Sequence, residues 1–133
     1  MTDPSQFTDL QLAILRVLWK QGTATVADVV QALRPERDLA PTTVATLLSR
    51  LEKRGVVSHT TRARQYLYRA SVSEGEVRAS MVSGLTETLF GGDVSALMSH
   101  LLDPSAIRPG DLERVRDLIA RAEAGLEGTD DHR

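Results

Sequence analysis

Three observations predict a mainly α-helical chain laid out as three helices, a β-hairpin and three further helices. Apolar residues recur at helical spacing in six separate stretches. Those stretches are bounded by capping residues, prolines or glycines, the punctuation that starts and stops helices. Between the third and fourth, the fifteen residues 56–70 (VVSHTTRARQYLYRA) drop that period for β-branched and aromatic residues around a polar centre, which reads as two strands and a turn.

Thr8 followed by Gln11 makes a capping box, because hydroxyl and amide can each satisfy a backbone N–H that a helix start leaves unpaired. The first helix therefore starts there. Leu10, Ile14, Val17 and Leu18 form its apolar stripe, Leu15 and Trp19 widen it, and Gly22 ends it. So few polar positions remain that the helix is expected to be largely buried. Thr25 caps a short second helix with Val26, Val29, Val30 and Leu33 on one side, and Pro35 forbids its continuation. Pro41 then occupies the first turn of a third helix, where its missing N–H does no harm.

The third helix carries Val44, Leu47, Leu48 and Leu51 on one side. At 100° per residue, Thr42, Thr46, Ser49 and Lys53 fall opposite them, with Thr43 and Arg50 at the border. Short hydroxyl side chains flanked by cations suit base edges and phosphates better than an ordinary solvated face of Glu and Lys. Gly55 ends this helix. Strands are expected at 56–60 and 65–69, with the turn Thr61-Arg62-Ala63-Arg64 projecting Arg62 and Arg64 at its tip and Tyr66 and Tyr68 covering a core. Three helices with a short second one, followed by a hairpin, are the winged helix-turn-helix plan, whose third helix enters the major groove of DNA.

Ser73 and Glu76 form another capping box and open a fourth helix, with Val77, Met81, Leu85 and Leu89 on one stripe and Val82 beside it. Gly91-Gly92 breaks it. Asp93 caps a fifth helix, expected over 93–102, with Val94, Leu97, Met98 and Leu101 apolar, and Pro104 stops it. A sixth helix is expected over 110–124, bearing Leu112, Val115, Leu118, Ile119 and Ala122, and 127–133 reads as a flexible acidic tail. Three short amphipathic helices cannot close a core of their own, since so short a segment leaves too much apolar surface exposed. A second copy would cover it, so 73–126 is read as a helical dimerisation domain following a winged-helix domain over 1–72.

Composition narrows the function. The chain has 133 residues, 41% of them hydrophobic and 26% charged, with no cysteine. Disulfides, thiolate metal sites and a cysteine nucleophile are thereby excluded. No stretch is apolar enough to span a membrane, and the N-terminal segment lacks the basic start and apolar run of a signal peptide, so the expected location is cytoplasmic, with no membrane insertion. The net charge of −2 conceals +4 in residues 1–72 and −6 in 73–133. From Arg50 to Arg69 there are six cations and one acid, Glu52. The basic half is thus the candidate for a polyanion. His59, His100 and His132 are dispersed, no glycine loop can cradle phosphate, and Asp130-Asp131-His132 lies in the tail, so neither catalysis, cofactor nor metal is expected.

Four stretches together resemble the BlaI/MecI/CopY family of bacterial penicillinase-type repressors: TDLQLAILRVLW at 8–19, PTTVATLLSRL at 41–51, RQYLY at 64–68 and FGGD at 90–93. The resemblance implies a homodimer whose winged-helix domains bind a dyad-symmetric operator and whose C-terminal helices dimerise, commonly controlling resistance genes. In the β-lactam branch of that family a membrane sensor with a zinc-protease domain triggers cleavage of the repressor at an Asn-Phe bond, whose counterpart here reads His100-Leu101. In the copper branch a cysteine-rich C-terminus binds metal, and this chain lacks those ligands.

The expected function is therefore a homodimeric repressor of transcription relieved by proteolysis in its dimerisation domain. Its DNA contacts are expected from Thr42, Thr43, Ala45, Thr46, Ser49, Arg50 and Lys53 on the third helix and from Arg62 and Arg64 on the wing. The alternative is a winged-helix protein-interaction module that does not touch DNA, for which exposed aromatics or leucines would be expected on the third helix instead of hydroxyls and arginines.

Overall fold

The computed structural model describes residues 7–130, which form six helices and one two-stranded sheet. In chain order these are α1 (Asp9–Gln21), α2 (Val26–Leu33), α3 (Pro41–Lys53), β1 (Val57–Arg62), β2 (Gln65–Ala70), α4 (Glu74–Phe90), α5 (Val94–Leu101) and α6 (Asp111–Asp130). The predicted fold class is the one adopted. The chain divides into two compact units, one ending at Gly92 and one beginning at Asp93. The N-terminal segment 1–6 and residues 131–133, including Asp131 and His132, lie outside the described residues.

Helix starts follow their capping chemistry. The Thr8 hydroxyl accepts from the Gln11 N–H at 3.1 Å while the Gln11 amide oxygen accepts from the Thr8 N–H at 3.0 Å. Thr25 and Asp28 repeat the exchange on α2, and Ser73 and Glu76 on α4. Gly22, Gly55 and Gly91 terminate helices with positive φ, the conformation glycine adopts without a Cβ clash. α6 runs on to Asp130, beyond the end expected near residue 124. Gly125 and Gly128 each cost only about 1 kcal/mol relative to alanine inside a helix, and Leu126 and Glu127 between them are good helix formers.

The core of the first unit is a single cluster. Ile14, Leu15 and Leu18 of α1, Val29 of α2, Val44, Leu48 and Leu51 of α3, and Val56 and Val57 at the foot of the hairpin are all fully buried. Each contributes roughly 1.5–3 kcal/mol on leaving water. The hairpin joins this core through a short third strand segment: Ala24, between α1 and α2, exchanges both backbone hydrogen bonds with Tyr68, at 2.9 and 2.8 Å. α4 belongs to the same unit. The Trp19 indole N–H donates to the Val72 carbonyl at 2.9 Å, and Val77 is fully buried, lining a small cavity with Leu12, Trp19 and Met81.

The hairpin differs from expectation in its turn. β1 and β2 pair antiparallel from Val57 with Ala70 to Arg62 with Gln65, so the strands run further and the turn is only Ala63-Arg64. Both residues have positive φ, 52° and 66°. That is the two-residue turn whose twist matches a hairpin, but it lacks the Asn-Gly or Asp-Gly sequence that normally announces it. Tyr68 is buried as expected; Tyr66 is not, being half exposed at 51%. Two residues further from the sheet's foot, Tyr66 has passed the edge of the core.

The second unit, taken by itself, has no buried side chain in α5 and none among the described side chains of α6. Among the described residues no helix is long and apolar enough to cross a membrane.

Candidate nucleic-acid interface

The exposed side of α3 is set by its buried side. Because Val44, Leu48 and Leu51 are pinned in the core, Thr42, Thr43, Thr46, Ser49, Arg50 and Lys53 are all solvent-exposed, and Ala45 is half-buried. Thr42, Thr43, Thr46 and Arg50 line a shallow concavity with Leu47. The Thr46 hydroxyl donates to the Thr42 carbonyl at 2.9 Å. Its proton is therefore committed to the helix, leaving the methyl group and an oxygen lone pair to face outward.

The start of α3 has no side-chain cap and no acid in its first turn. The backbone N–H groups and the positive end of the helix dipole are left unneutralised, an arrangement favourable to phosphate. Arg50 and Lys53 add cations in the last turn. On the wing, Arg62 closes β1 opposite Gln65 and Arg64 sits in the turn itself, both exposed. α3 and the hairpin pack against each other in one unit. The hydroxyls, the helical cations and the wing cations therefore belong to one compact unit.

One part of this surface has no counterpart in the sequence reading. His59 of β1 donates through Nδ1–H to the carboxylate of Glu52 on α3, lying 2.8 and 2.7 Å from its two oxygens. The Tyr66 ring stacks on the His59 imidazole with centroids 3.9 Å apart and planes 13° from parallel. Tyr68 stands tilted beside His59 at 5.6 Å. Burial, reinforced by the nearby Glu52 carboxylate and Tyr66, raises the Tyr68 hydroxyl above its ordinary value and keeps it neutral. Far from the other histidines in sequence, His59 shows no sign of this contact in its own neighbourhood. The available signal is Glu52, the one acid in a basic stretch, which requires a partner.

The residues expected at a dimer face fall into two groups. Val77 is covered inside its own unit, and Met81, Leu97, Met98 and Val115 are half-buried. Leu85, Leu89, Val94, Leu101, Leu112, Leu118 and Ile119 are exposed, as are Val82 and Leu126. His100 is exposed next to Leu101 at the end of α5. Among the described residues no group of His, Asp and Glu is gathered so as to hold a metal ion.

A family model described as penicillinase repressor matches residues 7–121 of the chain. The chain is similar to the penicillinase repressor of Staphylococcus aureus, with 18% identity over 80% of this chain and 84% of that protein. It is likewise similar to the penicillinase repressor of Bacillus licheniformis, with 19% identity over 86% of this chain and 89% of that one. Among solved structures, the DNA-binding domain of the repressor BlaI matches with a TM-score of 0.50 and 28% identity, covering 57% of this chain and 93% of that one.

Proposed function

Because the chain belongs to the penicillinase repressor family, a family of repressors and not of enzymes, we propose that it is a cytoplasmic, homodimeric transcriptional repressor that binds a dyad-symmetric operator. The observation that carries this reading is the exposed face of α3, hydroxyls and Ala45 in front and Arg50 and Lys53 behind, in one compact unit with Arg62 and Arg64 of the wing. In the major groove Thr42, Thr43, Thr46, Ser49 and Arg50 read base edges and Ala45 meets a thymine methyl, while Lys53 and the wing arginines contact phosphates or the minor groove.

Dimerisation is supported by where the apolar surface is. Of the large hydrophobic residues exposed on the described chain, all but Tyr66 lie from Val82 onward, on α4, α5 and α6. Exposed apolar side chains repeated along three helices are what a second copy would cover. The C-terminal part from residue 73 thus serves dimerisation and the part before it serves DNA. Repression is relieved by proteolysis near His100-Leu101, through a pathway that begins at a membrane sensor.

The test is footprinting of the purified chain on the promoter region of its own gene, repeated over a salt series. A protected dyad with a steep salt dependence is expected. Equal, weak binding to promoter and random DNA would sink the reading and leave the protein-interaction module.

A further inference from the structure

We propose that Glu52, His59 and Tyr66 form a strap that holds the wing at a fixed angle to the recognition helix, making them positioning residues for DNA binding that themselves contact no base. The inference rests on the DNA-binding reading above.

Beyond its foot the hairpin has little else to hold it. Val57 and Tyr68 are buried, but from Thr60 to Tyr66 every residue is exposed. Two strands alone are marginal in water. The outer part of the wing, which carries Arg62 and Arg64, thus depends on contacts made to one side. His59, Tyr66 and Tyr68 share a face of the hairpin, because His59 pairs directly with Tyr68 and Thr61 with Tyr66. On that face the chain of contact runs from the Glu52 carboxylate through the His59 ring to the Tyr66 ring. One end is on α3 and the other is one residue from Gln65, the partner of Arg62.

Charge makes the arrangement informative. Glu52 is a carboxylate among six cations on the surface meant for a polyanion, and for DNA affinity alone it is unfavourable. Its presence there needs a compensating role, and the contact with His59 supplies one. The carboxylate is only about a third exposed, so the pair is partly screened from solvent.

This yields a test in which electrostatics and positioning disagree. Glu52→Ala and Glu52→Gln remove the same negative charge, but only glutamine keeps an oxygen that can accept from His59. If charge alone matters, both variants bind the promoter duplex more tightly, and equally. If the strap matters, Glu52→Ala binds roughly tenfold more weakly than Glu52→Gln, a difference of about 1.4 kcal/mol. Its log-log salt slope also falls by about two units per dimer, as if one wing arginine per monomer had left its phosphate. Tyr66→Phe keeps the stacking and should behave as wild type, whereas Tyr66→Ala should lose the same salt slope as Glu52→Ala and, because it keeps the Glu52 charge, bind more weakly than that variant. Destabilisation of the fold would lower the melting temperature without changing the slope, so both are measured on the full-length chain. Proton NMR gives a readout without DNA: the ring-current shifts of His59 and Tyr66 persist in Glu52→Gln and vanish in Glu52→Ala. Wild-type binding combined with indistinguishable Glu52→Ala and Glu52→Gln overturns the strap alone. Failure of the wild-type chain to prefer its promoter duplex over random DNA overturns the repressor reading and this inference with it.

Discussion

The Thr46 hydroxyl proton is already donated to the Thr42 carbonyl, so in the proposed contact with DNA this residue would offer a base an acceptor and a methyl group. Removing both in Thr46→Ala should weaken operator binding by about 1–3 kcal/mol, the range for losing a good base contact, with little change on random DNA. Thr46→Val keeps the methyl and Thr46→Ser the oxygen, so gel-shift titration of the three variants assigns which group is read. Equal loss on random and operator DNA would end the claim of direct readout. Arg62 and Arg64 are expected to act on phosphates instead. Replacing either by Ala in both subunits should lower the salt slope by about two units, at roughly 0.9 per contact. An unchanged slope would place that arginine off the DNA. At this scale the sequence is legible for α3, where helical period sorts buried from exposed residues, and illegible for Tyr66 and His59. Alternation names the face a strand residue occupies but not how far the core extends beneath it.

Among the elements, the wing turn stores strain. Ala63 and Arg64 both adopt left-handed conformations that cost a non-glycine residue roughly 1–2 kcal/mol each. Ala63→Gly should relieve that cost, less the entropy glycine loses on folding, for a net stabilisation of about 0.5–1 kcal/mol. Urea unfolding would register it as a higher midpoint at unchanged slope, and a lower midpoint would refute the turn geometry. The start of α6 depends on Asp111, whose carboxylate accepts from the Arg108 N–H at 2.8 Å and from the Arg114 side chain. These bonds, the backbone one first, hold its pKa below the ordinary aspartate value. Their contribution is complete above that ordinary value and is lost as pH falls through the lower value of the folded chain. NMR titration should place the Asp111 midpoint below that of a short unstructured peptide, and Asp111→Asn should abolish the acid-induced fraying of the first turn. Helix starts are the most legible elements because a capping box is a local exchange between residues three apart. The turn is two residues shorter than expected because its backbone conformation is imposed by strand register, with no glycine or asparagine to reveal it.

For the whole molecule, the separation of a basic N-terminal half from an acidic, apolar-surfaced C-terminal half sets the expected switch. α5 has only eight residues and no buried side chain, and a helix that short is marginal without tertiary support. Local opening there would cost less than global unfolding and, in the proposed switch, would expose the His100-Leu101 bond to a protease. A cut at that bond removes Leu112, Val115, Leu118 and Ile119 from the chain. A variant truncated after His100 should therefore sediment as monomer and fail to shift operator DNA at concentrations where the intact chain binds fully. The second half-site would no longer be held at high effective concentration, an avidity loss on the order of 10² to 10⁴. A truncated chain that stays dimeric and binds normally would remove the proposed switch. The exposed leucines that motivate this prediction are legible as a stripe in the sequence, whereas the burial of Val77 beside Trp19 is not. It anchors the first turns of α4 beside Trp19 of α1, leaving the exposed apolar residues from Val82 onward for the proposed dimer face.

What the sequence alone determined about this protein is what short-range chemistry encodes: six helices and the side-chain caps that open four of them, a hairpin between the third and fourth, the hydroxyl and cationic face of α3, and the family to which these belong. Periodicity and capping act over a few residues, so one chain suffices to read them. Tertiary structure alone decided the two-residue turn, the exposure of Tyr66, the pairing of Ala24 with Tyr68 and the approach of His59 to Glu52. Each depends on how far one element reaches past another, and that distance is set by packing of the shared core, which no local pattern of residues records.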